Sequence, residues 1–195
     1  MDAINRLIWN RFRIRRGDTL PYCAVKGRTR NDLAALFTEL EYTSGAEVGV
    51  GEGRFSEVLC KANPELHLMS VDPWEAYENW SQEKCDIRAE RARQRLEPYN
   101  IEIRRQRSID AVLQVPEGSL DFVYIDGCHV FDWVMTDIIL WAQRVRPGGI
   151  VSGHDYYKFY RAGVQRAVDV YTWAHGISMW YLTREKEATW WWVKT

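Results

Sequence analysis

No apolar run in this sequence reaches the roughly 20 residues that a membrane-spanning helix needs. The N-terminus, MDAINRLIWNRFRIRR, mixes arginine with tryptophan and isoleucine, so it also lacks the apolar core and small-residue cleavage site of a signal peptide. Low-complexity tracts and internal repeats are absent as well. These absences predict a soluble, cytoplasmic, globular protein with no membrane partner.

Cysteine is scarce and its spacing is uninformative for a metal cage. The four cysteines, at positions 23, 60, 85 and 128, form no C-x-x-C pair. This spacing indicates neither a zinc site of the usual kind nor a disulfide framework, and it favours reduced thiols.

The length of 195 residues suits one domain with a single hydrophobic core and is short for two domains that each have their own core.

The net charge is only −1, but the cations are concentrated at the start of the chain. Residues 1–30 hold eight Lys/Arg and two Asp, and such a basic arm could contact nucleic acid or an anionic substrate. Its arginines are interleaved with apolar residues such as Trp9 and Phe12, which favours a solvated or subunit-contacting segment instead. We therefore divide the chain into a basic N-terminal arm, 1–30, and a single domain, 31–195.

Apolar periodicity predicts strands that alternate with helices, the first helix being capped by Asn31. This alternation is typical of an α/β protein in which helices cover both faces of a parallel sheet. The predicted parallel strands are 45–50, 67–72, 101–107, 120–126 and 150–155.

The last segment of the chain has a different pattern. ISMWYLT and TWWWV are separated by the charged turn REKEA, which predicts a terminal antiparallel hairpin and brings the strand count to seven. Strand alternation sends Trp190 and Trp192 to one face and Trp191 to the other. Core packing is the favoured role of these indoles, and a homodimer surface is the alternative.

Ligands of an open parallel sheet bind beyond the carboxyl ends of the strands, where the strand order reverses. The first predicted strand ends in EVGVGEGRF, whose glycines, beginning with Gly49 and Gly51, let the backbone turn tightly and approach a ligand. The second ends in Asp72, a carboxylate placed to accept both hydroxyls of a ribose. Trp74 lies where its indole could pack on an adenine, or could equally fill the core.

Two later strands end in acids that have histidines beside them. Asp126 follows the fourth strand, and His154 with Asp155 ends the fifth; if these strands are neighbours, their ends lie about 5 Å apart. Two carboxylates so close favour a divalent cation such as Mg²⁺ between them. His129 and His154 could each act as a general base. Alternatively, Asp126 caps the helix near Val130 and His154 has a supporting role.

These motifs together resemble the class I S-adenosylmethionine-dependent methyltransferases over about residues 30–195. GAEVGVGEG, the acid of MSVD, LDFVYIDGCHVFD and VRPGGIVSGHDY carry the resemblance. The pair IDG-x-H and PGG-x-x-x-x-HD is similar to the branch that methylates sugars and small molecules in macrolide biosynthesis. The resemblance implies a Rossmann-like, doubly wound sheet, S-adenosylmethionine as cofactor and a small-molecule acceptor.

The resemblance also implies roles for individual residues. By this resemblance, Glu47, Gly49 and Gly51 hold the amino-acid portion of the cofactor. Asp72 binds its ribose, and Arg107 and Ser108 contact its adenine. Trp74 and Asp126 are further candidates for cofactor binding. Asp126 and Asp155 match the family's metal carboxylates. Some relatives carry a second acid where this chain has His154, so that His154 is a candidate metal ligand or base.

Methyl transfer needs little from the protein, because the sulfonium already provides the leaving group. Catalysis is then mostly alignment of an acceptor oxygen and removal of its proton. Segments 73–82 and 156–162 follow strand ends and are expected to form the substrate wall. Two other functions share part of the pattern: an NAD-dependent oxidoreductase, and a nucleic-acid-binding or scaffolding protein on a methyltransferase fold. The absence of an N-P-P-[YF] motif disfavours methylation of DNA bases.

Overall fold

Strands from all parts of the chain join one mixed sheet in the computed structural model, which describes residues 1–15, 19–78 and 80–195. The strands are β1 Tyr22–Cys23, β2 Ser44–Val48, β3 His67–Val71, β4 Ile101–Arg104, β5 Leu120–Ile125, β6 Val145–Tyr156, β7 Trp180–Leu182 and β8 Ala188–Val193. Their order across the sheet is β1-β7-β8-β6-β5-β2-β3-β4. Strands β2 to β6 are parallel to one another, and β8 is antiparallel to β6 and β7. The predicted α/β class, with five parallel strands and a terminal hairpin, is confirmed.

Helices connect the strands. They are α1 Ala3–Phe12, α2 Arg30–Glu39, α3 Arg54–Ala62, α4 Gln82–Leu96, α5 Ser108–Val112, α6 Phe131–Arg144 and α7 Gly163–Ala174. Thr29, and not Asn31 as expected, caps α2, because Thr29 Oγ1 accepts the Asn31 N–H while Asp32 accepts the Thr29 N–H at 2.9 Å. Val130 precedes α6 without a side-chain cap. The alternative in which Asp126 caps α6 is therefore wrong.

The two faces of the sheet bury separate apolar clusters. Val123 and Ile125 point toward α5, α6 and α7, whereas Phe122 and Tyr124 point toward α1, α2 and α3. The hairpin tryptophans follow the predicted alternation: Trp190 and Trp192 enter the first cluster and stack with ring centroids 5.3 Å apart, and Trp191 enters the second. All three are buried, which confirms core packing as their role.

The basic arm contributes a strand and a helix to this architecture. Strand β1 pairs in parallel with β7 and makes the sheet eight-stranded, one strand more than the seven expected, because two residues are too few for periodicity to reveal. Phe12 of α1 is fully buried against Trp191. Arg16, Gly17 and Asp18, which belong to the predicted arm, lie outside the described residues.

Several arginines of the arm form ion pairs with acids of the domain. Arg11 pairs with Glu39, and Arg28 pairs with Asp32 at 2.6 Å. Contact with nucleic acid through this arm, the less favoured alternative, stays untested. In the described parts of the chain, no helix combines the length and the apolar character needed to cross a bilayer.

Candidate active site

The carboxyl ends of the parallel strands meet at one edge of the sheet. The strand order reverses between β2 and β5, since β3 and β4 extend the sheet on one side and β6 on the other. Asp126, which follows β5, donates its backbone N–H to the Val48 carbonyl at the end of β2 (2.7 Å). The candidate active site therefore lies at the reversal point, where its two halves touch.

Gly49 is required where β2 opens into the loop. Its φ is +91°, and a Cβ at this position would lie 2.1 Å from the Asp126 carbonyl oxygen. Any larger residue would be strained in its own backbone and would overlap the backbone after β5. The absence of a side chain therefore lets the two strand ends approach each other.

Asp72 is tied to the glycine loop. Its Oδ2 accepts the N–H groups of Val50 (3.0 Å) and Gly51 (2.9 Å), and its Oδ1 accepts the Trp74 N–H (2.8 Å). The Trp74 indole is buried in a cluster with α4 and donates Nε1–H to the Gly51 carbonyl at 2.8 Å. Trp74 thus fills the core, which was the alternative to packing on an adenine. Its contact with an adenine stays a prediction.

Glu47 sits inside the sheet below the loop. It is buried, and Ser56 Oγ donates a hydrogen bond to it. Burial raises the pKa of Glu47 to about 8, so this carboxyl keeps its proton at neutral pH. A cationic group placed beside it would stabilise the ionised form instead.

The four residues predicted for the catalytic half come together. His129 Nε2 lies 2.7 Å from Asp155 Oδ2, and His154 Nδ1 lies 3.4 Å from Asp155 Oδ1 and 3.8 Å from Asp126 Oδ1. Burial raises the pKa of Asp126 to about 6. Burial also works to raise the pKa of Asp155, but hydrogen bonds to His129 and His154 outweigh it and hold that pKa well below its usual range.

His129 is the more tightly oriented of the two histidines. Its hydrogen bond to Asp155 raises the pKa of the imidazole above the ordinary value. A histidine held by a carboxylate is both fixed in direction and made more basic, as a general base requires. The backbone of Asp155 has a φ of +59°, and this left-handed turn accompanies the direction of its carboxylate toward His129.

The same cluster fits a divalent cation. Asp126, His154 and Asp155 each offer one ligand atom, and these atoms all lie within 4.8 Å of one another. Two carboxylate oxygens and an imidazole nitrogen form a mixed donor set. This set suits Mn²⁺, Fe²⁺ or Zn²⁺ better than it suits Mg²⁺, which prefers a shell of oxygen ligands alone. Metal binding stays a prediction for this site.

Sequence reasoning missed Arg30, which it grouped with the basic arm. Arg30 Nη1 lies 3.5 Å from Asp126 Oδ2, and its guanidinium lies over the Phe55 ring at 4.9 Å from the centroid. Burial opposes its charge, but Tyr124 and Asp126 together raise the pKa of Arg30. The contact joins residues 96 positions apart, and no local motif announces it.

Ser108 and Arg107 occupy the end of β4 at the same edge. Ser108 is the first residue of α5; its Oγ donates to Asp137 Oδ1 (2.5 Å) and accepts Trp141 Nε1–H (2.7 Å). Arg107 is exposed and pairs with Glu75 at 2.8 Å. The contact of these residues with an adenine stays a prediction.

Asp137 was also missed, and it makes stability depend on pH. Burial raises its pKa from 3.8 to about 6, so between these values the folded chain keeps a proton that the unfolded chain releases. Stability is therefore lost as the pH rises through this window. Asp137→Asn should stabilise the protein by roughly 1–3 kcal/mol at pH 7 and by little at pH 4. Urea unfolding at both pH values tests this, with the exposed Asp132→Asn of α6 as the control; equal gains at pH 4 and 7 would contradict it.

The two segments predicted as the substrate wall meet above His129. Tyr160 Oη donates to Glu78, and the rings of Phe159 and Tyr160 have centroids 5.6 and 6.0 Å from that of His129. Three successive residues, 160–162, have φ between +41° and +59°, a costly conformation for residues other than glycine. Asn79, in the first of these segments, lies outside the described residues.

Comparison with known proteins places this geometry in context. A family model described as a methyltransferase domain matches residues 46–156, which is more than half of the chain. No curated protein sequence matches this chain.

Solved structures resemble the whole chain at low sequence identity. An O-methyltransferase of Bacillus cereus, in complex with S-adenosylhomocysteine (SAH), has a TM-score of 0.63 at 16% identity and covers 100% of this chain and 92% of its own. TomG of Streptomyces achromogenes, an O-methyltransferase of tomaymycin synthesis in complex with SAM, has a TM-score of 0.59 at 20% identity, covering 100% and 91%. At such identities the likeness establishes the fold alone.

Proposed function

The chain belongs to the methyltransferase-domain family, and on that premise we propose that it catalyses S-adenosylmethionine-dependent O-methylation of a small molecule. The observation that carries the proposal is the meeting of two half-sites at the reversal point: the loop Gly49–Gly51 with Asp72, and the cluster of Asp126, His129 and Asp155. The B. cereus enzyme and TomG, which bind SAH and SAM on this fold, support the choice of cofactor.

The first half-site provides the groups that a nucleoside with an amino-acid tail requires. Asp72 already accepts three N–H groups, from Val50, Gly51 and Trp74, so its carboxylate is held at the strand end with one acceptor position of Oδ1 left for a ribose hydroxyl. Buried Glu47 offers a carboxyl whose ionised form a cationic amino group would stabilise.

The second half-site provides proton removal. Bound S-adenosylmethionine supplies an electrophilic methyl group on a sulfonium, which leaves as a neutral thioether. His129, held by Asp155, accepts the proton of the acceptor hydroxyl, and Asp126 with Arg30 lies beside it to orient that oxygen. A divalent ion at Asp126, His154 and Asp155 would lower the pKa of the hydroxyl and help to orient it.

Calorimetric titration with SAH tests the cofactor assignment. We expect wild-type protein to bind it and Asp72→Asn to bind at least about tenfold more weakly, because the charged acceptor of the ribose hydroxyls is lost. Asp86→Asn, which changes an exposed acid of α4 paired with Arg105, is the matched control and should bind normally. Absence of binding to folded wild-type protein, or heat on adding NADH in its place, would overturn the proposal.

A further inference from the structure

A cavity of about 340 Å³ opens beside Asp126 on the face of the sheet that carries α2 and α3. Arg30 belongs both to its wall and to the candidate active site, through its 3.5 Å contact with Asp126. The remaining wall comes mainly from the first turns of α2 and α3 and from the turn between β7 and β8. The lining residues include Arg30, Arg54, Phe55 and Glu185.

The cavity is separate from the loop and the acid that are expected to hold the cofactor's ribose. Its wall contains neither Asp72 nor the glycine loop 49–53, which together form the cofactor half-site. It reaches instead to Glu185, in the β7–β8 turn, which is at the same sheet edge because β8 is antiparallel to both β6 and β7. The cavity therefore lies between the first turns of α2 and α3 and the β7–β8 turn, at the sheet edge that also carries Asp126 and Asp155.

Two arginines give this wall the charge that an anion needs. Arg30 and Arg54 are the first residues of α2 and α3, and the first turn of α3 has no side-chain cap. Arg54 has an ion pair with Glu52 at 3.0 Å, but its side chain is 76% exposed, so that the pair contributes little and leaves the guanidinium able to turn toward a ligand.

The opposite wall carries a hydrogen-bond acceptor. Glu185 Oε1 is buried and has no hydrogen-bond partner among the residues that the structure describes. Its carboxylate can accept a hydrogen bond from a hydroxyl group of a ligand. Together with the Phe55 ring, these groups suit a small molecule with one acid group, one apolar body and at least one hydroxyl.

We propose that this cavity binds the carboxylate of the methyl acceptor, which makes the substrate a small hydroxy acid. The inference rests on the proposed O-methyl transfer and names its substrate class. Guanidinium groups hold carboxylates through paired, charge-assisted hydrogen bonds, and here they do so within reach of Asp126. The cavity volume is at the lower end of small-molecule sites, which favours acceptors of one ring or a short chain.

The probes are 4-hydroxybenzoate and 4-hydroxybenzamide, which differ in charge but hardly in size. In calorimetric titrations the acid should bind at least tenfold more tightly than the amide, and Arg54→Gln should remove most of that difference. Arg91→Gln is the matched control, because Arg91 pairs with the same Glu52 at 2.7 Å but lies outside the cavity wall. Equal binding of acid and amide, or no binding of either, would overturn the proposal.

A second experiment distinguishes binding of the acceptor from binding of the cofactor. With SAH at saturation, 4-hydroxybenzoate should still bind, and Arg54→Gln should leave the affinity for SAH unchanged. Competition between the two, or weaker SAH binding to the variant, would mean that the cavity receives the cofactor's own carboxylate and would overturn the acceptor assignment. Failure of wild-type protein to bind SAH would instead contradict the proposed function. The difference in affinity between the acid and the amide would then test only whether the cavity binds a carboxylate.

Discussion

Exchange of His129 for glutamine should lower the turnover number of methyl transfer by roughly 10²- to 10⁴-fold, the usual contribution of a positioned general base. Glutamine retains hydrogen-bonding groups but cannot take up the acceptor's proton. The effect should fall on turnover, with the affinity for SAH unchanged, because His129 lies in the catalytic half of the site. The measurement is the rate of SAH formation with a hydroxy acid as acceptor.

His154→Gln provides the comparison that identifies the base. His154 makes longer contacts, 3.4 Å to Asp155 and 3.8 Å to Asp126, so we expect a smaller loss of turnover from this change. His67→Gln, which alters an exposed histidine at the far end of β3, should leave the rate unaltered. A larger loss in His154→Gln than in His129→Gln would transfer the role of base to His154.

Gly49→Ala should destabilise the protein by at least about 3 kcal/mol and abolish measurable binding of SAH. Part of the cost is conformational, since a φ of +91° disfavours any residue with a Cβ. The larger part is steric, because the new methyl group would lie 2.1 Å from the carbonyl oxygen of Asp126 and would force the ends of β2 and β5 apart. Urea unfolding and calorimetry measure the two effects.

Gly27→Ala isolates the steric part. Gly27 has nearly the same φ, +92°, but no atom lies within 4 Å of a Cβ built on it. This control should therefore show the conformational cost alone, about 1–2 kcal/mol, and bind SAH normally. If both variants lose equal stability and both bind SAH, the close approach of the two strand ends is not what fixes the site.

The fold and much of the site could be predicted because they depend on local patterns. Alternation of short apolar runs with helical ones gave the parallel sheet, and parallel strands place their carboxyl ends at one edge. Asp126 and Asp155 were therefore expected to meet before any distance was known. Their separation from Asp72 by the reversal of strand order follows from the same topology.

What could not be predicted depends on contacts between distant residues or on side-chain direction. Arg30 reaches Asp126 across 96 positions, and Asp137 meets Ser108 across 29. Trp74 follows an acid at a strand end, where an indole can point outward or inward; its φ of +43° and hydrogen bond to the loop send it inward. Strand β1 exists only because β7 offers it an edge.

The pairing of β1 with β7 also constrains when the chain can complete its fold. Tyr22 lies opposite Tyr181, and Tyr181 Oη donates to Asn5 Oδ1 at 2.6 Å, so the first segment finds its partners in one that the ribosome makes about 160 residues later. At typical elongation rates the first segment waits roughly 8 to 30 s for them. During synthesis, the apolar side of α1 is therefore a surface that nascent-chain chaperones can recognise until the β7–β8 hairpin emerges.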